Sequence, residues 1–183
     1  MSPSVVIAEN HDITVWSLES IVEEHGGRVV GTAQSGLRTL TAVENKKPRV
    51  LILSLNLPRV HGFEVLRHVH KRRLAMEVMV LTDHENPESA RAALKRGVTS
   101  YLLKSDPIET LGPAFQATAA GKRTISPALP DDLMETPVEN RKPRTYRTLT
   151  KRQREVLALT AEGLTGEEVG EKLAESLVDE YQA

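Results

Sequence analysis

The stretch Val50 to Leu66, VLILSLNLPRVHGFEVL, carries the clearest local structure signal in the chain. It starts with a short apolar run bounded by turn-forming residues, which is typical of a buried strand in a parallel sheet. A loop containing Pro58 follows, and Gly62 opens a segment with helical spacing. Ser54 should therefore lie at the carboxyl end of a central strand, which is the edge of an open α/β sheet where ligands bind.

Apolar runs and segments of helical spacing alternate on both sides of this stretch. The predicted strands cover residues 4–8, 28–33, 50–53, 77–81 and 99–103. Such alternation implies right-handed crossovers between parallel strands. Five strands and five helices predict an α/β domain over residues 1–124, with a flavodoxin-like, doubly wound, five-stranded parallel sheet.

Local signals place several helix ends. Asn86 followed by Pro87 predicts a capped helix start with proline in the first turn. Asp106 to Glu109 reads as a capping box for the last helix of the domain, which should run toward Gly121. The pair Gly112-Pro113 inside that segment predicts a kink, because an interior proline removes a backbone donor and clashes with the preceding turn.

The remaining third of the chain has a different character. Residues 125–147 contain four prolines, many charges and no hydrophobic period, which predicts a linker. Residues 148–183 predict two short helices, since Thr150 to Gln153 and Thr165 to Glu168 each match a capping box before apolar residues at helical spacing.

Composition narrows the class of protein. The chain has 183 residues, 39% of them hydrophobic, and no cysteine, so disulfides and zinc-thiolate sites are excluded. Its start lacks a signal-peptide pattern, and no apolar stretch is long enough to cross a membrane. The expectation is a cytoplasmic protein with one full domain, a small appendage and no membrane contact.

Two stretches resemble a known family. The layout Ser54-Leu-Asn56-Leu-Pro58, with Gly62 four residues later, resembles the phosphoacceptor loop of bacterial response-regulator receiver domains. The stretch LTKRQREVLALTAEGLTGEEVGEKLAES resembles the start of the helix-turn-helix of LuxR-type (NarL/FixJ) response regulators. The resemblance implies a signalling protein of a two-component (phosphorelay) system that regulates transcription.

The receiver-like part departs from the family where phosphate is accepted. The family's acceptor is an aspartate, but this chain has Ser54, and the family's pair of acidic metal ligands is here Glu9 and Asn10. A serine ester would be stable, and its formation would need a base to activate the hydroxyl. Because Mg²⁺ prefers several charged oxygen ligands, the sequence predicts a pseudo-receiver with weak or no Mg²⁺ binding and no other cofactor. Other interpretations of Ser54 are a small structural residue that closes the strand, the substrate of an unrelated kinase, or part of a weak metal or small-ligand site.

Other positions of the family pattern are kept. Thr82 matches the hydroxyl residue that ends strand four, Tyr101 the aromatic switch residue, and Lys104 the lysine after strand five. Lys104 should form an ion pair with Glu9. The predicted degenerate pocket comprises Glu9, Asn10, Ser54, Asn56, Thr82 and Lys104. Two additional departures are Asp83, expected to repel a phosphoryl group, and His61, which replaces an acidic loop residue.

The carboxyl-terminal segment offers little for reading DNA. Seven basic residues and no acidic one lie between Arg141 and Arg154, and possible contacts to phosphates come from Arg144, Arg147, Lys151 and Arg152. From Glu162 onward the sequence contains seven acidic residues and one basic residue, Lys172. The recognition-helix segment is reduced to LVDEYQA, which lacks the Arg, Lys or Asn that would read base edges. We expect a truncated or degenerate helix-turn-helix with at most weak DNA binding.

Helix one carries a candidate contact surface. Val15 and Trp16 fall off its core stripe of Leu18, Ile21 and Val22. They predict an exposed apolar patch for a protein partner or a homodimer, although a half-buried tryptophan would also fit.

These observations favour a non-enzymatic regulator of transcription that acts through protein contacts and independently of aspartyl phosphorylation. A phosphorylation-independent DNA-binding regulator of the LuxR type is the first alternative. The second is a small-ligand sensor or enzyme that uses the pocket formed by Ser54, Thr82 and Lys104.

Overall fold

A computed structural model describes residues 2–138 of the chain. The strands are β1 Ser4–Ala8, β2 Arg28–Ala33, β3 Val50–Leu53, β4 Glu77–Thr82, β5 Ser100–Leu103 and β6 Thr124–Ile125. The helices are α1 Asp12–Glu24, α2 Gly36–Lys46, α3 Gly62–Arg72, α4 Pro87–Lys95 and α5 Leu111–Ala119. No helix within these described residues is long and apolar enough to cross a membrane.

The strands form one parallel sheet in the order β2-β1-β3-β4-β5-β6. This is the predicted flavodoxin-like arrangement with one added strand, β6, at the edge. The first strand, β1, is an inner strand of the sheet. The next strand, β2, pairs on one side of it, and β3 to β6 follow in order on its other side. The carboxyl ends of β1, β3, β4 and β5 therefore meet at one edge, as expected for a doubly wound sheet.

Apolar side chains fill both faces of the sheet. One core cluster joins alternate strand residues to α2, α3 and α4, and the other joins the intervening residues to α1 and α5. Because β3 is covered on both sides, all four of its residues are at most 2% exposed. The continuous apolar run that begins the stretch from Val50 to Leu66 reflects this double burial.

Glycine is required where the loop after β3 turns into α3. A Cβ atom on Gly62 would lie 2.6 Å from the Leu55 Cα and 2.7 Å from the Ser54 carbonyl oxygen. The Gly62 amide donates to the Leu55 carbonyl at 2.9 Å. This close approach holds the loop after Ser54 against the sheet.

The predicted start of the last helix is wrong. The capping box at Asp106 does not form, because the Asp106 carboxylate accepts hydrogen bonds from the Leu103 amide and the Ser126 hydroxyl instead. A 3₁₀ turn covers residues 108–110, and α5 begins at Leu111. Pro113 thus falls in the first turn of a helix, where its missing donor costs little, so no interior kink is needed.

The predicted linker begins too early. Residues 125–138 pack on the domain: the Ser126 amide donates to the Tyr101 carbonyl at 2.8 Å, extending the sheet. Leu129 and Leu133 are 5% and 0% exposed in the core beside α4, and a 3₁₀ helix covers Asp131–Glu135. The domain therefore continues to at least Val138. The rest of the predicted linker, and the predicted helix-turn-helix over 148–183, lie outside the described residues.

Candidate functional site

The residues predicted from the receiver pattern meet at the carboxyl edge of the sheet. They divide into two groups with different bonding. We call Glu9, Ser54 and Lys104 the acceptor half of the edge, and Thr82, His84 and Tyr101 the switch half. His84, in the loop after β4, was not among the residues predicted from the sequence.

An ion pair closes the acceptor half. Lys104 Nζ lies 2.9 Å from Glu9 Oε2 and 3.6 Å from Asp83 Oδ2. Glu9 is only 2% exposed and Lys104 only 17%, whereas Asp83 is 60% exposed. The pair expected between Glu9 and Lys104 is thus present and largely shielded from water. Lys104 follows β5 and Glu9 follows β1, so the pair spans the edge across β3 and β4.

The second oxygen of Glu9 is also satisfied. Glu9 Oε1 accepts hydrogen bonds from the backbone amides of Asn10 and His11, both at 2.9 Å, and lies 2.9 Å from His11 Nδ1. Burial by itself raises the pKa of the Glu9 carboxyl, but the hydrogen bond and charge of Lys104 and the His11 bonds outweigh it. The pKa of Glu9 is therefore lowered from its usual value. His11 was not predicted as a site residue, although its place two residues after Glu9 is visible in the sequence.

Ser54 is buried without a partner. The residue is only 3% exposed, and its hydroxyl has no hydrogen-bond partner among the described residues. The Ser54 amide donates to the Ala8 carbonyl at 2.8 Å, which holds the residue in line with β1. With no base against the hydroxyl and almost no exposure, Ser54 is poorly placed as a nucleophile or as the substrate of a kinase.

Two amide side chains bridge the neighbouring loops. Asn10, with its amide group oriented to donate, reaches the Asn56 carbonyl at 3.1 Å and Glu9 Oε1 at 3.2 Å. Asn56 Oδ1 lies 2.8 Å from His84 Nε2. These contacts join the loops after β1, β3 and β4 directly.

The switch half forms a short relay through the loop after β4. The His84 amide donates to the Thr82 hydroxyl at 3.2 Å, and the Tyr101 hydroxyl donates to the His84 carbonyl at 3.1 Å. Thr82 and Tyr101 are both fully buried, and burial raises the pKa of Tyr101 to about 12. Since the Tyr101 carbonyl also accepts from Ser126, strand β5 connects this loop to the segment that follows β6.

Magnesium, which the resemblance to receivers implies, does not fit the side chains present. Mg²⁺ prefers several hard oxygen ligands with negative charge. Asn10 and Ser54 offer only neutral oxygens, and the single carboxylate of the acceptor half is already neutralised by Lys104. Across residues 2–138, no three His, Asp or Glu side chains converge as a possible metal site.

His61 has a structural task at the start of α3. Its side chain accepts a hydrogen bond from the Phe63 amide at 3.3 Å, and its ring stacks on Phe63 at a centroid distance of 5.8 Å. The residue that replaces an acidic position of the family pattern thus acts as a helix cap.

The predicted patch on α1 is partly corrected. Trp16 is 70% exposed, but Val15 is half-buried. Val15 lies three positions before Leu18, so at 100° per residue the two side chains are only about 60° apart around the helix and both lie toward the core. Ile13, which is 75% exposed, replaces Val15 beside Trp16. The predicted phosphate contacts at Arg144, Arg147, Lys151 and Arg152 lie outside the described residues.

Comparison with known proteins agrees with this architecture. Residues 5–115 match the family model described as the response regulator receiver domain. The match includes every residue of both halves of the edge.

Similarity to individual proteins extends further along the chain. The transcriptional regulatory protein DesR of Bacillus subtilis is 30% identical over 172 residues, covering 93% of this chain and 81% of DesR. The nitrate/nitrite response regulator NarL of Escherichia coli is 33% identical over 147 residues, covering 79% of this chain and 68% of NarL. The crystal structure of a LuxR-family DNA-binding response regulator from Staphylococcus aureus superposes with a TM-score of 0.60 at 26% identity. That match covers 64% of this chain and 98% of the other.

Proposed function

The chain belongs to the response-regulator receiver family, and from this premise we propose that it regulates transcription through protein contacts, without phosphorylation of an aspartate and without catalysis. It is a two-component response regulator of the LuxR/NarL type. The receiver would act as a pseudo-receiver, with Ser54 at the place of the family's acceptor.

The observation that supports this proposal most strongly is the internal ion pair of the acceptor half. Phosphoryl transfer needs a nucleophile and cationic groups free to stabilise the charge that moves. Here Lys104 is held by Glu9 at 2.9 Å, and the Ser54 hydroxyl is buried with no base in contact. Asp83 adds a carboxylate within 3.6 Å of the same lysine, which would repel an incoming phosphoryl group.

The same observations weaken the small-ligand alternative. A ligand pocket is an open, concave site with a few polar groups available for recognition. Ser54 and Thr82 are 3% and 0% exposed, and Lys104 is already paired. We therefore do not advance a sensor or enzyme that uses these three residues.

A DNA-binding regulator that works without phosphorylation is the second candidate. It is favoured by the seven basic residues between Arg141 and Arg154 and by the DNA-binding relative from Staphylococcus aureus. Against it, the acidic segment that starts at Glu162 would repel phosphates, and LVDEYQA offers one glutamine and two acidic residues for reading base edges. We propose that a degenerate helix-turn-helix gives this chain weak, sequence-indifferent DNA binding.

Protein contacts are proposed to run through α1. Trp16 and Ile13 expose most of their apolar surface, and tryptophan is the residue most enriched among energetic anchors of interfaces. A partner protein or a second copy of the chain would cover this surface.

Labelling with acetyl phosphate tests the proposed loss of phosphorylation. The full-length protein, incubated with acetyl phosphate and Mg²⁺, should show no shifted band in phosphate-affinity electrophoresis. Ser54→Asp alone should label poorly, because Asn10 and Asp83 still disfavour the metal ion and the phosphoryl group. The triple variant Ser54→Asp, Asn10→Asp, Asp83→Ala should label best.

A hydroxylamine-labile band on the wild-type protein would refute the proposal. Efficient labelling of Ser54→Asp by itself would show that the neighbouring residues matter less than the acceptor. A receiver of the same family that keeps its acceptor aspartate and is labelled by acetyl phosphate serves as the positive control for the reagent.

A further inference from the structure

Charge is unevenly divided over the described domain. Residues 34–74, which carry α2 and α3, contain nine Lys or Arg and two Glu, a net of +7. The other described residues contain seven Lys or Arg and fourteen Asp or Glu, a net of −7. A domain that is neutral as a whole therefore has one basic side.

Helix α1 is acidic around its exposed tryptophan. It contains Asp12, Glu19, Glu23 and Glu24 and no Lys or Arg. Asp12 lies four residues before Trp16, Glu19 three after and Glu23 seven after, so these three carboxylates share the side of the helix that Trp16 occupies. The exposed surface of α1 is thus an apolar indole framed by negative charge.

The groove between α2 and α3 has the opposite character. Its volume of about 410 Å³ is within the range of sites that hold small organic groups and is large enough for an aromatic side chain. Half-buried Leu40 and Val60 supply its apolar part, and its rim is formed by Arg59, His61, Glu64, Arg67, His68 and Lys71. Arg67 pairs with Glu64, while no ion pair within residues 2–138 holds Arg59 or Lys71.

We infer that Trp16 of one copy of this chain docks into the α2–α3 groove of a second copy. The inference rests on the proposed role of α1 as a contact surface and names the surface that receives it. The indole would lie on Leu40 and Val60, and the carboxylates around it would face the basic rim. Arginine at the rim adds a cation–π contact with the indole, and opposite charges fix the orientation.

The topology decides what kind of assembly this contact makes. The core residues of α1 pack on one face of the sheet, and those of α2 and α3 pack on the other. We call Trp16 the knob of this contact. On one molecule the knob and the groove lie on opposite sides of the sheet, so the contact is heterologous. Each added copy leaves one knob and one groove free. Association should continue with rising concentration instead of stopping at a dimer, and salt should weaken it.

A mixing experiment with the full-length chain tests this inference. Trp16→Arg removes the knob, and Lys71→Glu reverses a charge at the groove. Both side chains are exposed, so both variants should keep the wild-type circular dichroism spectrum and melting temperature. Each variant alone should self-associate at least fivefold more weakly than the wild type in sedimentation velocity. Lys122→Glu, the same change at an exposed lysine outside both surfaces, should leave association unchanged.

The mixture gives the decisive result. The chain has no cysteine, so Ser2→Cys can carry a fluorophore on the Trp16→Arg variant, which keeps its groove. Titration with Lys71→Glu, which keeps its knob, should give binding of wild-type strength and a particle that stops at a one-to-one dimer. Absence of binding in the mixture would overturn the inference. A wild-type protein that remains monomeric at about 500 μM would also overturn it, because a contact with a Kd in the millimolar range is already detectable at that concentration.

Other outcomes distinguish the inference from the proposed function. If Trp16→Arg abolishes association but Lys71→Glu does not, α1 meets a surface other than the groove, and only the inference fails. Phosphorylation of the wild-type protein would refute the proposed function, whatever the mixture shows.

Discussion

The acceptor half and the switch half share one edge of the sheet, but they satisfy their polar groups differently. In the acceptor half, a shielded ion pair joins Glu9 to Lys104, and the Ser54 hydroxyl is left without a partner. In the switch half, hydrogen bonds link Thr82, His84 and Tyr101. At the acceptor position a serine stands in place of the family's aspartate, whereas Thr82 and Tyr101, which connect the loop after β4 to strand β5, keep the family pattern.

This difference teaches that the two tasks are separable in the fold. The acceptor half depends on three side chains, of which Glu9 and Lys104 are charged and Ser54 is neutral, and one substitution changes its chemistry. The switch half depends largely on backbone groups held by the sheet, so it persists without an acceptor. It continues through the Tyr101 carbonyl to Ser126, whose hydroxyl donates to Asp106 at 2.7 Å.

Removal of the lysine should have the largest effect on stability. Lys104→Met leaves the Glu9 carboxylate buried with only its amide and His11 contacts, and we expect the free energy of unfolding to fall by about 2 to 3 kcal/mol at pH 7. Urea denaturation measures this change. The double variant Glu9→Gln, Lys104→Met should recover at least half of the loss, because it no longer buries an unpaired charge.

The pH dependence of the same variants sharpens the comparison. The folded-state pKa of Glu9 is lowered from 4.5, so its contribution to stability is present above that pH and is lost as the pH falls through the lowered value. In Lys104→Met, burial should instead raise the pKa of Glu9. As the pH falls through the ordinary pKa range of glutamate, the difference in the free energy of unfolding between this variant and the wild type should therefore become smaller. A difference that stays constant from pH 7 to pH 4 would show that the ion pair is not its origin.

Loss of one hydrogen bond in the switch half should have a smaller effect. Tyr101→Phe removes the donor to the His84 carbonyl, and we expect a loss of about 1 kcal/mol in the free energy of unfolding. Because the pKa of Tyr101 is raised to about 12, its contribution is present below pH 10 and is lost between pH 10 and about 12. In an absorbance titration, one of the three tyrosines should ionise late in the wild type, and this late step should be absent from Tyr101→Phe. A titration curve unchanged by the substitution would contradict the assigned environment.

Local signals in the sequence predicted the parts of the fold that local physics controls. Asn86 caps α4 through its side chain, which accepts from the Glu88 amide at 2.8 Å, and the apolar runs form strands β1 to β5. The same pattern could not show that Leu129 and Leu133 are buried, because they lie among prolines without a period. Their burial depends on α4 and on β6, the strand added beside β5, which only the folded domain brings together.

The candidate site shows the same limit. The resemblance to receivers singled out Glu9 and Lys104, and their opposite charges at the ends of β1 and β5 then predicted their contact. The part played by His84 was not predictable in this way, because two of its three hydrogen bonds use backbone atoms. Val15 could have been placed correctly from the sequence, since the helical angle to Leu18 already puts it on the inner side.

The central claim is that the acceptor half is closed by its own ion pair and is not poised for a metal ion and phosphate. A carbon-13 NMR titration of the Glu9 carboxyl, assigned with the Glu9→Gln variant, measures this most directly. We predict a pKa of Glu9 below the usual value for glutamate. We also predict that its resonance does not shift at pH 7 when Mg²⁺ is added to about 10 mM, a concentration that would fill a site of millimolar affinity. A pKa above the usual value, or a Glu9 resonance that moves with Mg²⁺, would contradict the account.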